Sequence, residues 1–108
     1  MQVAELDGSL LNFWVAMSEG LERSPVAPEP GEGHDPDSGF WHPSNYHPAT
    51  DWSQGGPIVA REWSNLEDAL GAWFGARWPF MGVFAEQPLV WFMRAYVASK
   101  FGDEVEEQ

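Results

Sequence analysis

Apolar residues recur at helical spacing in three places along the chain, separated by stretches with no period at all. In "LDGSLLNFWVAMSEGL", Leu10, Leu11, Trp14, Val15 and Met17 fall on one face. Asp7 or Ser9 can accept the orphan amides of a helix start, and Gly20 suits a left-handed stop. The spacing predicts an N-terminal amphipathic helix. A second, shorter helix is expected where "SNLE" has capping-box spacing, with Ser64 and Glu67 serving each other's amides. Leu66, Leu70, Trp73 and Phe74 give its apolar face, and Gly75 its end. The third is "PLVWFMRAYVASKFG". Pro88 suits a first helical turn, Lys100 the last, and Gly102 the stop.

Wound at about 100° per residue, this last segment divides into two arcs. Leu89, Val90, Phe92, Met93, Tyr96, Val97 and Phe101 form a broad core face. Trp91, Ala95 and Ala98 fall together on the opposite side, where a surface helix should be polar. A Trp flanked by small residues is the kind of anchor that a second chain covers, so a homodimer through these three residues is expected.

The segments between are of a different kind. Residues 20–39, "GLERSPVAPEPGEGHDPDSG", are dense in Pro, Gly and acid and predict a mobile loop. "FWHPSNYHPATDW" sets Phe40, Trp41, Tyr46 and Trp52 among turn formers, which reads as a loop anchored on the core by its aromatics. "GGPIVAREW" starts either a helix, with Pro57 at its first position, or a short strand favoured by Ile58 and Val59. Residues 103–108 read as a frayed acidic tail. Val, Ile and Thr are scarce, which disfavours a large sheet. The fold expected is α+β and mainly helical, a single domain over 1–108. Its two terminal helices pack around an aromatic-rich middle, with one small hairpin.

Composition narrows the function classes. Seventeen acidic residues against five Lys and Arg give a net charge of −12. Binding phosphate backbones needs clustered cations, so direct nucleic-acid binding is not expected. A DNA mimic would need its carboxylates on a rigid face, whereas much of the acid here lies in the loop and tail. Aromatics make up 15% of the chain, enough to build a core without staples, and there is no Cys. No secretory signal is visible at the N-terminus, and the longest apolar run is broken by Arg94. A protein of the bacterial cytoplasm, without membrane contact, is the expectation that follows.

Three blocks, "LNFWVAMSEG", "HPATDWSQGGPIVARE" and "MRAYVASKFGDEVE", together resemble the NinX family of phage and prophage proteins. The family shows an N-terminal amphipathic helix, a signature of Pro-Ser-Thr-Asp-Trp-Ala-Gln-Gly-Gly-Pro-Ile type, and a closing Ala-Met-Arg-Ala-Tyr-Val-Ala-Ser-Lys helix. The middle block is specific. The resemblance implies a phage accessory protein and carries over no catalytic residue. Two segments depart from the pattern: the Pro-rich acidic loop, and "EWSNLEDALGAWFGARWPFMGVF", longer and less strand-like than the family's middle.

Candidate chemistry gathers at the signature. Thr50 or Asp51 caps a turn there, Gly55 and Gly56 permit positive backbone dihedrals, and Trp52 anchors the turn in the core. The competing functional reading makes it a ligand site for an anion or nucleotide. Amides at a Gly-Gly helix start would bind the ligand, with Asp51, Trp52, Gln54, Gly55, Gly56 and Arg61 around it. His34, Asp35, Asp37, His42 and His47 are the metal-like set, but none sits at ligand spacing, so neither metal nor cofactor is expected. Asp51, Glu62 and Arg94 have the chemistry for acid–base work, yet no spacing or motif singles them out, and Arg61 and Arg94 are expected to pair with acid. The leading expectation is a protein that acts by binding a host or phage protein. The alternative is a small-ligand protein or small enzyme built on the Asp51–Pro57 turn.

Overall fold

A computed structural model describes Met1 to Glu107. Helix α1 spans Gly8–Ser18, α2 Trp52–Phe74, α3 Gly82–Glu86 and α4 Pro88–Phe101. Short 3-10 turns lie at Val3–Glu5 and Trp78–Phe80. Two two-residue strands, β1 (Glu22–Arg23) and β2 (Phe40–Trp41), pair in parallel, Glu22 against Phe40 and Arg23 against Trp41. The expected hairpin is therefore a parallel clip that closes the intervening Pro-rich loop at both ends. The domain is mainly helical α+β, as expected.

Helix α1 begins at Asp7, whose side chain makes no capping bond, and ends before Gly20 at a φ of +73°. Its buried side carries Leu11, Val15 and Ala16, with Asn12 among them. Asn12 is the residue that the periodicity passed over. Its Oδ1 accepts the Ala49 amide at 3.1 Å, which ties the helix to the loop before α2 and satisfies a buried N–H.

The largest departure is α2. Two expected pieces are one helix of 23 residues. Residues 57–62 are helical, Pro57 lies in the helix interior and not at its first position, and Ser64 and Glu67 sit mid-helix with no capping role. The true N-cap is Asp51, whose Oδ1 accepts the Ser53 amide at 2.9 Å. Ile58 and Val59 continue into Leu66 and Leu70 on one buried stripe, so packing carries the helix across the internal cap signal. Gly75, at φ +81°, ends it.

Gly55 and Gly56 have ordinary helical φ, so the expected positive dihedrals are absent. Close approach is the reason for Gly55. A Cβ there would overlap the Pro48 carbonyl oxygen and lie 2.7 Å from Leu89 Cδ1. No side chain fits. Gly56 has only Trp52 Cε3 nearby, at 3.9 Å.

Helix α4 is the centre of the molecule. Every residue from Leu89 to Val97 is buried, because α1, α2 and the α3 segment clothe it on all sides. Phe101, expected on its core face, is instead 44% exposed and meets Trp14 edge-on. The acidic tail is docked where fraying was expected. Val105 is buried, its amide donates to the Met1 carbonyl at 3.0 Å, and the N-terminal ammonium donates to the Val105 carbonyl at 2.9 Å. Gln108 lies outside the described residues.

Candidate functional site

Two surfaces of α2 carry the chemistry, on opposite sides of the helix. Gln54, Pro57, Ile58 and Arg61 recur at i, i+3, i+4 and i+7 and form one wall of a cleft. Glu19 and Leu21, at the end of α1, and Gly33, His34 and Pro36, from the loop, form the rest, with Tyr46 buried among them. The cleft has a volume of about 510 Å³.

Three of the residues expected to bind a ligand, Asp51, Gln54 and Arg61, meet here. Their partners show what each does. Gln54 Oε1 accepts the His47 amide at 2.6 Å and its Nε2 donates to the Asn45 carbonyl at 2.9 Å, so both ends of the amide hold the loop. Asp51 Oδ1 also accepts the Ser53 hydroxyl, at 2.6 Å, and the Gln54 and Gly55 amides close on the Asp51 carbonyl. These bonds from Ser53 hold the Asp51 carboxyl below its usual range. The helix start thus already has its anion. That geometry removes the free amides on which an anion or nucleotide site would depend.

Arg61 donates to Glu19 Oε2 through one Nη and to Glu62 Oε2 through Nε at 2.9 Å. The same Nη reaches the Tyr96 hydroxyl at 3.2 Å, and that hydroxyl donates to Glu19 Oε2 at 2.7 Å. Burial works against the Arg61 charge, but the bonds from Glu62 and Glu19 outweigh it and hold the guanidinium above its usual range. Burial, then the bond to Glu19, raises the Tyr96 hydroxyl. This network pins the end of α1 to α2 and α4. His34 lies against the Tyr46 ring, centroids 4.6 Å apart. Its burial lowers its pKa despite the carboxylates of Asp35 and Glu19.

The remaining candidates lie elsewhere. Trp52 is 53% exposed, not a core anchor. Its ring meets Phe92 edge-on, and Trp63, 42% exposed, meets both Phe92 and Trp78. Phe80 follows, at 86% exposure, with Met81 and Val83 exposed beside it. This is the second surface, an open aromatic face. The face predicted for a second copy is covered by the chain itself. Trp91 packs on Phe74 and Trp73, its indole donates to the Val83 carbonyl at 3.0 Å, and Ala95 is fully buried. Arg94 has no carboxylate partner among the described residues. Its Nε donates to the Leu6 carbonyl at 2.7 Å and its guanidinium stacks 4.4 Å from the Trp91 ring. Among the described residues no three His, Asp or Glu side chains converge as metal ligands; His42 bonds Ser44 instead.

The cleft residues that the local patterns of the sequence do not mark are Glu19 and Tyr46. Glu19 ends a helix and Tyr46 sits in an irregular loop. No curated protein and no solved structure matches the chain. The family model "Bacteriophage P22, NinX" matches residues 2–100, nearly the whole fold including the Pro-rich loop, and the chain therefore belongs to the NinX family of phage proteins.

Proposed function

We propose that this phage accessory protein works by holding another protein against the open aromatic face. One observation carries the reading: Trp52 and Trp63 stand three helical turns apart on the same side of α2, about half exposed, with the rim of Phe92 between them. Phe80, 86% exposed, lies two residues beyond Trp78, whose ring meets Trp63. Large aromatics left open together mark partner surfaces, because water is displaced from them at little cost in side-chain entropy. A chain of net charge −12 repels acidic partners and nucleic acid at long range. The partner is thus a protein with an apolar socket and a basic rim, met in the cytoplasm of the bacterial host. Among the described residues no helix is long and apolar enough to cross a membrane.

The test is comparative capture from infected cells with the parent chain, Trp63→Glu and Phe80→Ser. The expected result is one stoichiometric protein held by the parent and lost by both variants, each of which still melts cooperatively. A captured protein that stays bound to both variants would place the interface elsewhere and overturn the proposal.

A further inference from the structure

We infer that the cleft between the end of α1 and the start of α2 binds an organic cation, an alkyl chain ending in an ammonium or guanidinium group. The first ground is an unused polar group on the cleft wall. Tyr46 is 3% exposed, yet its hydroxyl has no hydrogen-bond partner among the described residues, and the residue lines the cleft. A phenol set in an otherwise buried residue, with its hydroxyl unspent on protein groups, is placed to bond a ligand in the cavity it lines. The charged groups it faces are Glu19 and Arg61, the ion pair at this wall.

The second ground is the balance of donors and acceptors. Glu19 spends only Oε2 on Arg61 and Tyr96, leaving Oε1 without a hydrogen-bond partner. Asp51 spends only Oδ1 on Ser53. Set against these acceptors, the charge of Arg61 is already matched by both Glu19 and Glu62, and the Gln54 amide already holds the Asn45 carbonyl and the His47 amide. His34, its pKa lowered by burial, adds no positive charge at neutral pH. Leu21, Pro36, Pro57 and Ile58 supply the apolar wall for an alkyl chain, and a volume of about 510 Å³ accommodates one. An anion would meet two carboxylates here. A cation meets two carboxylates and a phenol.

The chemistry is shared by a basic side chain on a partner and by a free polyamine, and the probes separate these sources. The full chain is titrated calorimetrically with Nα-acetyl-arginine amide, with spermidine, and with sodium phosphate as the anionic counter-probe. Saturable one-site binding of at least one cation is expected. Stronger binding of the arginine amide points to a partner's side chain, stronger binding of spermidine to the free amine. Glu19→Gln should weaken binding about tenfold or more, the usual loss for a hydrogen bond to a charged group. Tyr46→Phe should weaken it severalfold while leaving the melting temperature unchanged, since its hydroxyl bonds no group among the described residues. That variant keeps the test decisive if Glu19→Gln disturbs the Arg61–Tyr96 network. Three results would each overturn the inference. These are no saturable cation binding, phosphate bound more tightly than either cation, and a loss in the distant Glu86→Gln as large as that in Glu19→Gln, which would reduce the effect to net charge.

Discussion

Helices α2 and α4 pack against each other more extensively than any other pair, yet they obey different rules. Helix α2 is amphipathic: Ile58, Val59, Leu66 and Leu70 are buried, and Trp52, Trp63, Glu67 and Asp68 are open. Helix α4 has no outer face over most of its length, with nine consecutive residues buried from Leu89 to Val97. A helix apolar all round is a central helix, wrapped by its neighbours. The two tryptophans show what this means. Trp91, read from the helical wheel as the outward residue, is core. Trp52, read from its turn as the core anchor, is surface.

The largest expected effect tests that reversal. Trp91→Ala should cost about 3–5 kcal/mol, because it opens a cavity under Phe74 and strips the ring from Arg94. Trp52→Ala should cost about 1 kcal/mol or less, since most of its ring already meets water. Urea unfolding of both variants measures the difference, and equal losses would erase the contrast between the helices.

Next comes the contact between the two helices. Gly55→Ala should destabilise by about 1–3 kcal/mol, since the Pro48 backbone and Leu89 cannot both give way. Its neighbour sharpens the point: Gly56→Ala should be stable or better by up to about 1 kcal/mol, the helix propensity gained with open space around it. Thermal melts of the pair suffice. If both behave alike, close packing does not explain the Gly-Gly pair.

Removing residues 103–108 should cost about 1–2 kcal/mol, the burial of Val105 together with the bonds that join it to Met1. A truncated chain as stable as the parent would return the tail to solvent. The smallest effect belongs to His34. Its folded pKa lies below its unfolded value, so the unfolded chain binds the proton more readily. The His34 contribution is thus intact above the unfolded pKa of about 6.5 and lost as pH falls below it. His34→Gln should flatten the fall in stability as pH drops below about 6.5, as read from urea midpoints; an unchanged slope would detach His34 from the cleft.

The sequence was legible where a residue's neighbours along the chain decide its fate. The stops at Gly20, Gly75 and Gly102 and the Asp51 cap follow from local dihedral and hydrogen-bond needs, whereas α1 starts at Gly8 without the side-chain cap expected there. The family signature was legible too. The Ser64–Glu67 capping box was misleading because a cap competes with continuation, and the buried stripe through Leu66 favours continuation. Pro57 was placed at a helix start for a similar reason, since its fixed φ fits any helical position and only the local count of amides argues against the interior.

What only the tertiary structure decided is which side of each helix is covered, and by what. A helical wheel shows where apolar groups point and not how many elements surround them, so α4 gave an arc where the fold has a fully enclosed cylinder. The cleft joins residues from α1, the loop, the 42–51 segment and α2, and Glu19 and Tyr46 enter it only when α1 and α2 dock. Gly55 is required by a backbone that arrives from seven residues earlier and by a leucine from another helix. Sequence determines what each segment can do, and long-range packing selects among these possibilities, because burial energy depends on neighbours that the chain brings together only on folding.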